Sequence, residues 1–357
     1  MATIFKSLLA GDITATRTAL YEAIPLTGSI ISGTYGAFGS ESNIKTYSHG
    51  MFESVYDYAY LSSSANHIFD LTVGFSPRSA LSHSSPGTQQ EKKINIYNQM
   101  AQTLMGNDAT GSILEFDQDG NILAGGTKMR ECIFINFARL LTKDEIKKGS
   151  FTISFGRTTA FGSANASYLT ITDAGAANDY KVNSPVGEYG ILSASVGEAA
   201  GSNLNAGCGL IFYQAGIAVI TASIFQGAPT GAIAANALMT AQGHNISQLM
   251  TGSSIKTISD AFRHRWYDCS YNNTTELNST IYFCRINHND FNYSSNPTYL
   301  SSSKIVVKNN SLDQPVAYFN TICLCAPDGA IMATAKTSEN LKKTSDSSLN
   351  IRVRLDF

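Results

Sequence analysis

The sequence offers six histidines, six cysteines and 27 acidic residues for chemistry, and their spacing decides what they can do. A zinc site needs paired ligands, such as His-Glu-x-x-His or Cys-x-x-Cys. His49, His67, His83, His244, His264 and His288 occur singly, and neither pair is present. Cys323 and Cys325 are one residue apart, so a strand would carry both on one face as small packing residues rather than as a redox couple. Residues 120–128 are glycine-rich, but a phosphate cradle ends Gly-Lys-Ser/Thr, and here Thr127 precedes Lys128. Asp117-Gln118-Asp119-Gly120-Asn121 begins like a calcium loop, yet the glycine comes too early and no glutamate closes it. A hairpin turn is the better reading. His288-Asn289-Asp290 puts a base beside an acid with no third group, so Asn289 and Asp290 read as turn caps. No Gly-x-Ser-x-Gly elbow occurs. The spacing therefore gives no catalytic, cofactor-binding or metal-binding residue, and the chain is not expected to be an enzyme. A cell-wall hydrolase, the enzymatic alternative, would need convergent carboxylates or a zinc site.

Composition favours a different kind of work. Of the 357 residues, 43% are hydrophobic and only 15% charged, so there is apolar content for a core but little charge to cover it. Ser, Thr, Asn, Gly and Tyr take that place. They hydrogen-bond without bringing a charge that must be desolvated, which suits surfaces held against neighbouring subunits. Net charge is −2 and no Lys/Arg run exceeds a pair, which argues against nucleic acid as a partner. The aromatic blocks Tyr56-Asp57-Tyr58-Ala59-Tyr60 and Phe291-Asn292-Tyr293 lack interleaved basic residues, so core or interface is a better assignment than base stacking. No stretch approaches the ~20 apolar residues of a membrane span, and the first residues lack the pattern of a secretion signal. The expectation is a protein made in a cytoplasm with reduced thiols and no membrane partner. The sequons at Asn165 and Asn278 then reflect only richness in Ser, Thr and Asn.

The elements that would position these residues read as β-dominated α+β, with antiparallel sheets or sandwich-like domains and a few short helices. Residues 12–24 suggest a short helix capped by Asp12 or Thr14 and stopped by Pro25. Residues 28–42 and 76–90 suggest loops, the first a thin Gly/Ser-rich arm. Ile94, Tyr97, Met100, Ala101, Leu104 and Met105 mark a helix over 91–105, with Gly106 as its stop. A hairpin is expected to pair 114–116 with 121–123, followed by a buried strand over 132–138. Thr142 and Glu145 form a capping box for a helix closed by Gly149. Strands are expected at 151–155, 168–172 and 189–192, then at 208–213 and 217–225 around Gln214-Ala215-Gly216. Residues 231–250 have weak helical spacing. Further strands fall at 280–286 and 316–325, with a turn at 326–329 leading into 330–335. The alternation of Ile351, Val353, Leu355 and Phe357 with Arg352, Arg354 and Asp356 predicts a final strand pinned into a sheet. Expected domains are an α+β region at 1–150, a central β region at 151–227 and a β-rich region at 228–357.

Several stretches resemble a family of virion structural proteins of contractile-tailed, cyanophage-like phages of marine bacteria. They are residues 1–26 (MATIFKSLLAGDITATRTALYEAIPL), 47–73 (YSHGMFESVYDYAYLSSSANHIFDLTV), 93–106 with the following hairpin, 140–150 (LLTKDEIKKGS), 291–299 (FNYSSNPTY) and the closing pattern over 317–357. The resemblance implies a structural component of a virion, in the contractile tail at baseplate, neck or collar. It implies contacts with copies of itself and with other tail proteins, and carries no catalytic residues to transfer. A fibre-attachment or receptor-binding module and a head-decoration protein are the alternatives; for the former, no coiled-coil or β-helical period is present.

Overall fold

The computed structural model describes residues 5–27, 41–83, 87–120, 126–156, 168–194, 207–225, 250–292, 300–301, 304–305, 312 and 316–356. In chain order the strands are β1 (Ile13–Thr27), β2 (Ile44–Thr46), β3 (Glu53–Tyr56), β4 (His67–Phe75), β5 (Phe116–Asp117), β6 (Lys128–Met129), β7 (Glu131–Phe137), β8 (Glu145–Ile146), β9 (Thr152–Gly156) and β10 (Tyr168–Thr172). They continue as β11 (Lys181–Ser184), β12 (Gly187–Ala194), β13 (Gly209–Phe212), β14 (Ile217–Thr221), β15 (Trp266–Ile286), β16 (Leu300–Ser301), β17 (Lys304–Ile305), β18 (Val316–Cys325), β19 (Ile331–Thr344) and β20 (Leu349–Asp356). The α-helices whose bounds fall within the described residues are α1 (Thr88–Leu104), α2 (Arg139–Thr142) and α3 (Ile255–Arg265). The fold is β-rich α+β, with large antiparallel sheets and few short helices.

Two compact units form, one from residues 20–275 and one from 1–19 with 276–357. The expected regions were consecutive stretches; the smaller unit instead gathers residues from both ends of the sequence. β1 and β15 each contribute residues to both units.

In the larger unit the strand order is β15, β9, β10, β12, β13, β14, β7, β4, β3, β2, with β11 beside β12 and β8 beside β15. Runs of apolar residues make its centre: β7 pairs with β4 from Phe69↔Phe137 to Phe75↔Glu131 and with β14 from Cys132↔Thr221 to Asn136↔Ile217. Strands flanked on both sides can be apolar without interruption, as Ile133, Phe134 and Ile135 are. Helix α1 lies against β4. Its inward residues Lys93, Tyr97, Ala101 and Leu104 follow the helical period. Gly74 permits the approach, since a Cβ there would sit 2.6 Å from the Lys93 carbonyl oxygen and 2.9 Å from the Tyr97 nitrogen. The Tyr97 hydroxyl then donates to the Met129 carbonyl at 2.8 Å. Trp266 is fully buried and stacks on Phe69, with ring centroids 4.7 Å apart. The buried Asp173 carboxylate pins the β8–β9 connection, accepting from the Gly149 amide (2.8 Å), the Phe151 amide (2.9 Å) and the Tyr213 hydroxyl (2.8 Å).

In the smaller unit β20 pairs with β15 in continuous antiparallel register from Ser279↔Asp356 to Ile286↔Leu349, and β1 also neighbours β15. β18 and β19 form a long hairpin around Gly329, whose φ of +87° suits the turn.

Three expectations are corrected. Residues 13–27 form a strand, not a helix. Ile13, Thr14, Thr16 and Thr18 are β-branched and prefer the extended chain, and Pro25 sits on a strand at the end of the sheet path, where a missing amide proton is tolerated. Thr142 ends a short helix instead of starting one; Lys143 turns with φ +48° and Glu145–Ile146 pair with Thr274 and Asn273. The hairpin after residue 114 pairs Phe116 with Met129 and Asp117 with Lys128, so Asp117 belongs to a strand. Residues 121–123 lie outside the described residues, as do 226–249 and most of the 28–42 stretch.

Candidate functional site

Two features of the described residues stand out. The first is exposed strand. From Ile13 to Ala23 every residue of β1 is exposed, on both of its faces. Ile13 is 44% exposed, Leu20 52% and Tyr21 58%. Besides its place beside β15, β1 is held by ion pairs Arg17–Glu276 and Lys143–Glu22 and by the Lys147 ammonium 4.0 Å from the Tyr21 ring centroid. In the smaller unit, β18 and β19 pair only with each other among the described residues. Tyr318, Ile331 and Met332 stand exposed on them. The same unit holds a cavity of about 400 Å³ lined by Leu8, Cys284, Phe291, Phe319, Ile322 and Ile351, among others.

The second is a buried cluster of charges in the larger unit. Helix α3 begins at Ser254, whose hydroxyl caps the Thr257 amide at 3.1 Å. Ile255, Ile258 and Phe262 face the core, while Lys256, Asp260 and Arg263 share the side turned to β3 and to residue 41. The Arg263 guanidinium is fully buried and bonds the Glu41 carboxylate at 2.9 and 3.4 Å and Asp260 at 2.9 Å. Lys256 reaches Asp260 at 2.5 Å and Glu53 at 3.6 Å. Glu53 is 1% exposed, and neither carboxyl oxygen has a hydrogen-bond partner. Burial, reinforced by the charge of Asp260 and only partly offset by Arg263 and Lys256, pushes its carboxyl up to about 8.

The residues weighed in the sequence are dispersed. Lys128 forms an ion pair with the buried Asp117 at 2.6 Å. His49 stacks on Tyr47, and its Nδ1 accepts from the Met51 amide. His67 contacts Asp70 at 2.8 Å. The His288 carbonyl accepts from Lys343, and Asp290 caps the Asn287 amide at 3.1 Å and pairs with Lys6. Asn278 lies in β15. Cys323 is exposed and Cys325 half-buried, with a register shift between Leu324 and Cys325. His244 and Asn165 lie outside the described residues, as do the side chains of His83 and His264. Among the described residues, no group of three or more His, Cys, Asp or Glu side chains could hold a metal ion. No described helix is long and apolar enough to cross a membrane.

Sequence reasoning missed the charge cluster. Lys256 and Asp260 at i,i+4 after a Ser cap were the available signal; the partners Glu41 and Glu53 lie some 200 residues away in sequence. Set against known proteins, the chain matches no family model, no curated protein and no solved structure.

Proposed function

We propose that the chain is a structural component of a phage virion, a contractile-tail protein of the baseplate or neck that acts through subunit interfaces with copies of itself and with other tail proteins. The observation carrying this reading is β1. Eleven successive residues, 13–23, are exposed on both faces of a strand that contains only two charged side chains, Arg17 and Glu22. Natural edge strands are normally short, charged, bulged or covered, because a long uncharged edge is a template for another chain. A covering neighbour would satisfy both needs, removing apolar surface worth roughly 1–2 kcal/mol for each of Ile13, Leu20 and Tyr21. The segment resemblance described above supplies the particle; the exposed strand supplies the mode of action.

Cryo-electron microscopy of intact phage particles produced in cells that express the chain tests both parts. Density at the baseplate or neck, with a neighbouring subunit over 13–23, is expected. Density on the head alone would remove the tail assignment, and absence from the particle would remove the structural role.

A further inference from the structure

We propose that Glu53 is a proton-controlled latch on the sheet edge: with its proton the larger unit holds residues 41–46 closed, and loss of that proton releases them. Among the described residues the cluster contains three carboxyls, Glu41, Glu53 and Asp260, and two cations, Lys256 and Arg263. With Glu53 neutral the charges balance. With Glu53 ionised one negative charge is left over in a site where Glu53 and Arg263 are both almost fully buried, and an uncompensated buried charge costs several kcal/mol.

The groups facing Glu53 define where the strain goes. Glu41 faces it from the segment before β2 and Lys256, Asp260 and Arg263 from α3. On the neighbouring strands its partners are Thr46 and Leu71, which do not titrate. The other described charged side chains nearby, Lys45, Asp70 and His67, belong to the alternate face, where Asp70 accepts from Ser54 and contacts His67. An ionised Glu53 therefore competes with Asp260 for Lys256 and repels Glu41. Glu41 is held to α3 through Arg263. Among the described residues β2 is the last strand of the sheet path, with one strand neighbour, β3. A cavity of about 370 Å³ lined by Glu41, Thr46, Tyr60, Lys256 and Asp260 lies against the cluster and gives water a route in.

Two bonds report the state of the latch directly: the Tyr56 amide donates to the Asn43 carbonyl and the Tyr60 amide to the Ser42 carbonyl, both at 3.0 Å. Hydrogen exchange of these amides would be followed in the full chain from pH 6.5 to 9, corrected for intrinsic rates, with β13 amides as the internal reference. Protection at Tyr56 and Tyr60 is expected to fall by on the order of ten-fold or more over that range while β13 stays protected. In Glu53→Gln the fall should vanish. Lys256→Met removes a cation that favours the ionised carboxyl, so there the fall should continue to higher pH before levelling off; this variant also serves if Glu53→Gln does not fold. An undiminished fall in Glu53→Gln, no fall in the wild type, or an unmoved profile in Lys256→Met would overturn the latch.

Discussion

Lys93 and Glu53 are both buried ionisable side chains, and their pH signatures run in opposite directions. Glu53 in the folded chain holds its proton to about pH 8 rather than 4.5. The folded state then binds more protons than the unfolded one across that window, so the contribution is full at low pH and is lost as pH rises towards 8. Burial lowers Lys93 from 10.5 to about 8. Between those values the unfolded chain holds more protons, so stability rises with pH. Together they predict a shallow minimum of stability near pH 8 in urea midpoints. Lys93 also donates to the Met250 carbonyl at 2.5 Å and the Ser253 carbonyl at 2.6 Å, tying α1 to the chain entering α3. Replacing it in Lys93→Met leaves two buried acceptors unsatisfied. A loss of about 1–3 kcal/mol at pH 7 is expected, along with disappearance of the rise above pH 8. Unchanged midpoints across pH 7–10.5 would contradict this account. Neither role was legible in the sequence, where the apolar stripe of α1 was read from Ile94, Tyr97 and Leu104 and a lysine at 93 looks like an exposed residue.

Elements whose structure is set locally were legible, and those set by distant partners were not. β10 and β18 fall where alternation and β-branched content put them. The β13–β14 hairpin turns at Gly216, whose φ of +66° explains the glycine. α1 was recognised from period and stop signal, starting three residues earlier than expected. β1 was misread because Ala15, Ala19, Leu20 and Ala23 also suit a helix, while the β-branched Ile13, Thr14, Thr16 and Thr18 and a place beside β15 favour the extended form. α3 was missed although Ser254 begins it and Ile255, Ile258 and Phe262 recur on one side, because the run to Trp266 and β15 follows without a break. The cap gives a direct test. Ser254→Ala should lower stability by about 1 kcal/mol, read as a shifted urea midpoint with unchanged slope. A neutral result would mean that α3 is set by its buried face alone.

At the scale of the whole molecule, the sequence could not show that its two ends meet in one unit, since β20 and β1 both find β15 across more than sixty and two hundred residues respectively. Closing such distances costs loop entropy, and continuous registers such as the one from Ser279 to Ile286 offset it. The composition leads to the expectation of a surface poor in charge, and β1, with two charged side chains across residues 13–23, lets folding and assembly be separated experimentally. Ala15 and Ala19 lie two residues either side of Arg17 on one face of β1, exposed and outside the core. Lysines there should change the stability of the isolated chain by less than about 0.5 kcal/mol. Against a covering neighbour the same lysines must lose water without a prepared counter-charge. The double variant Ala15→Lys, Ala19→Lys is therefore expected to melt with the wild type and to enter particles at least ten-fold less in a competition with it. Equal incorporation would show that β1 faces solvent in the particle, and the interface would then have to be sought on β18 and β19.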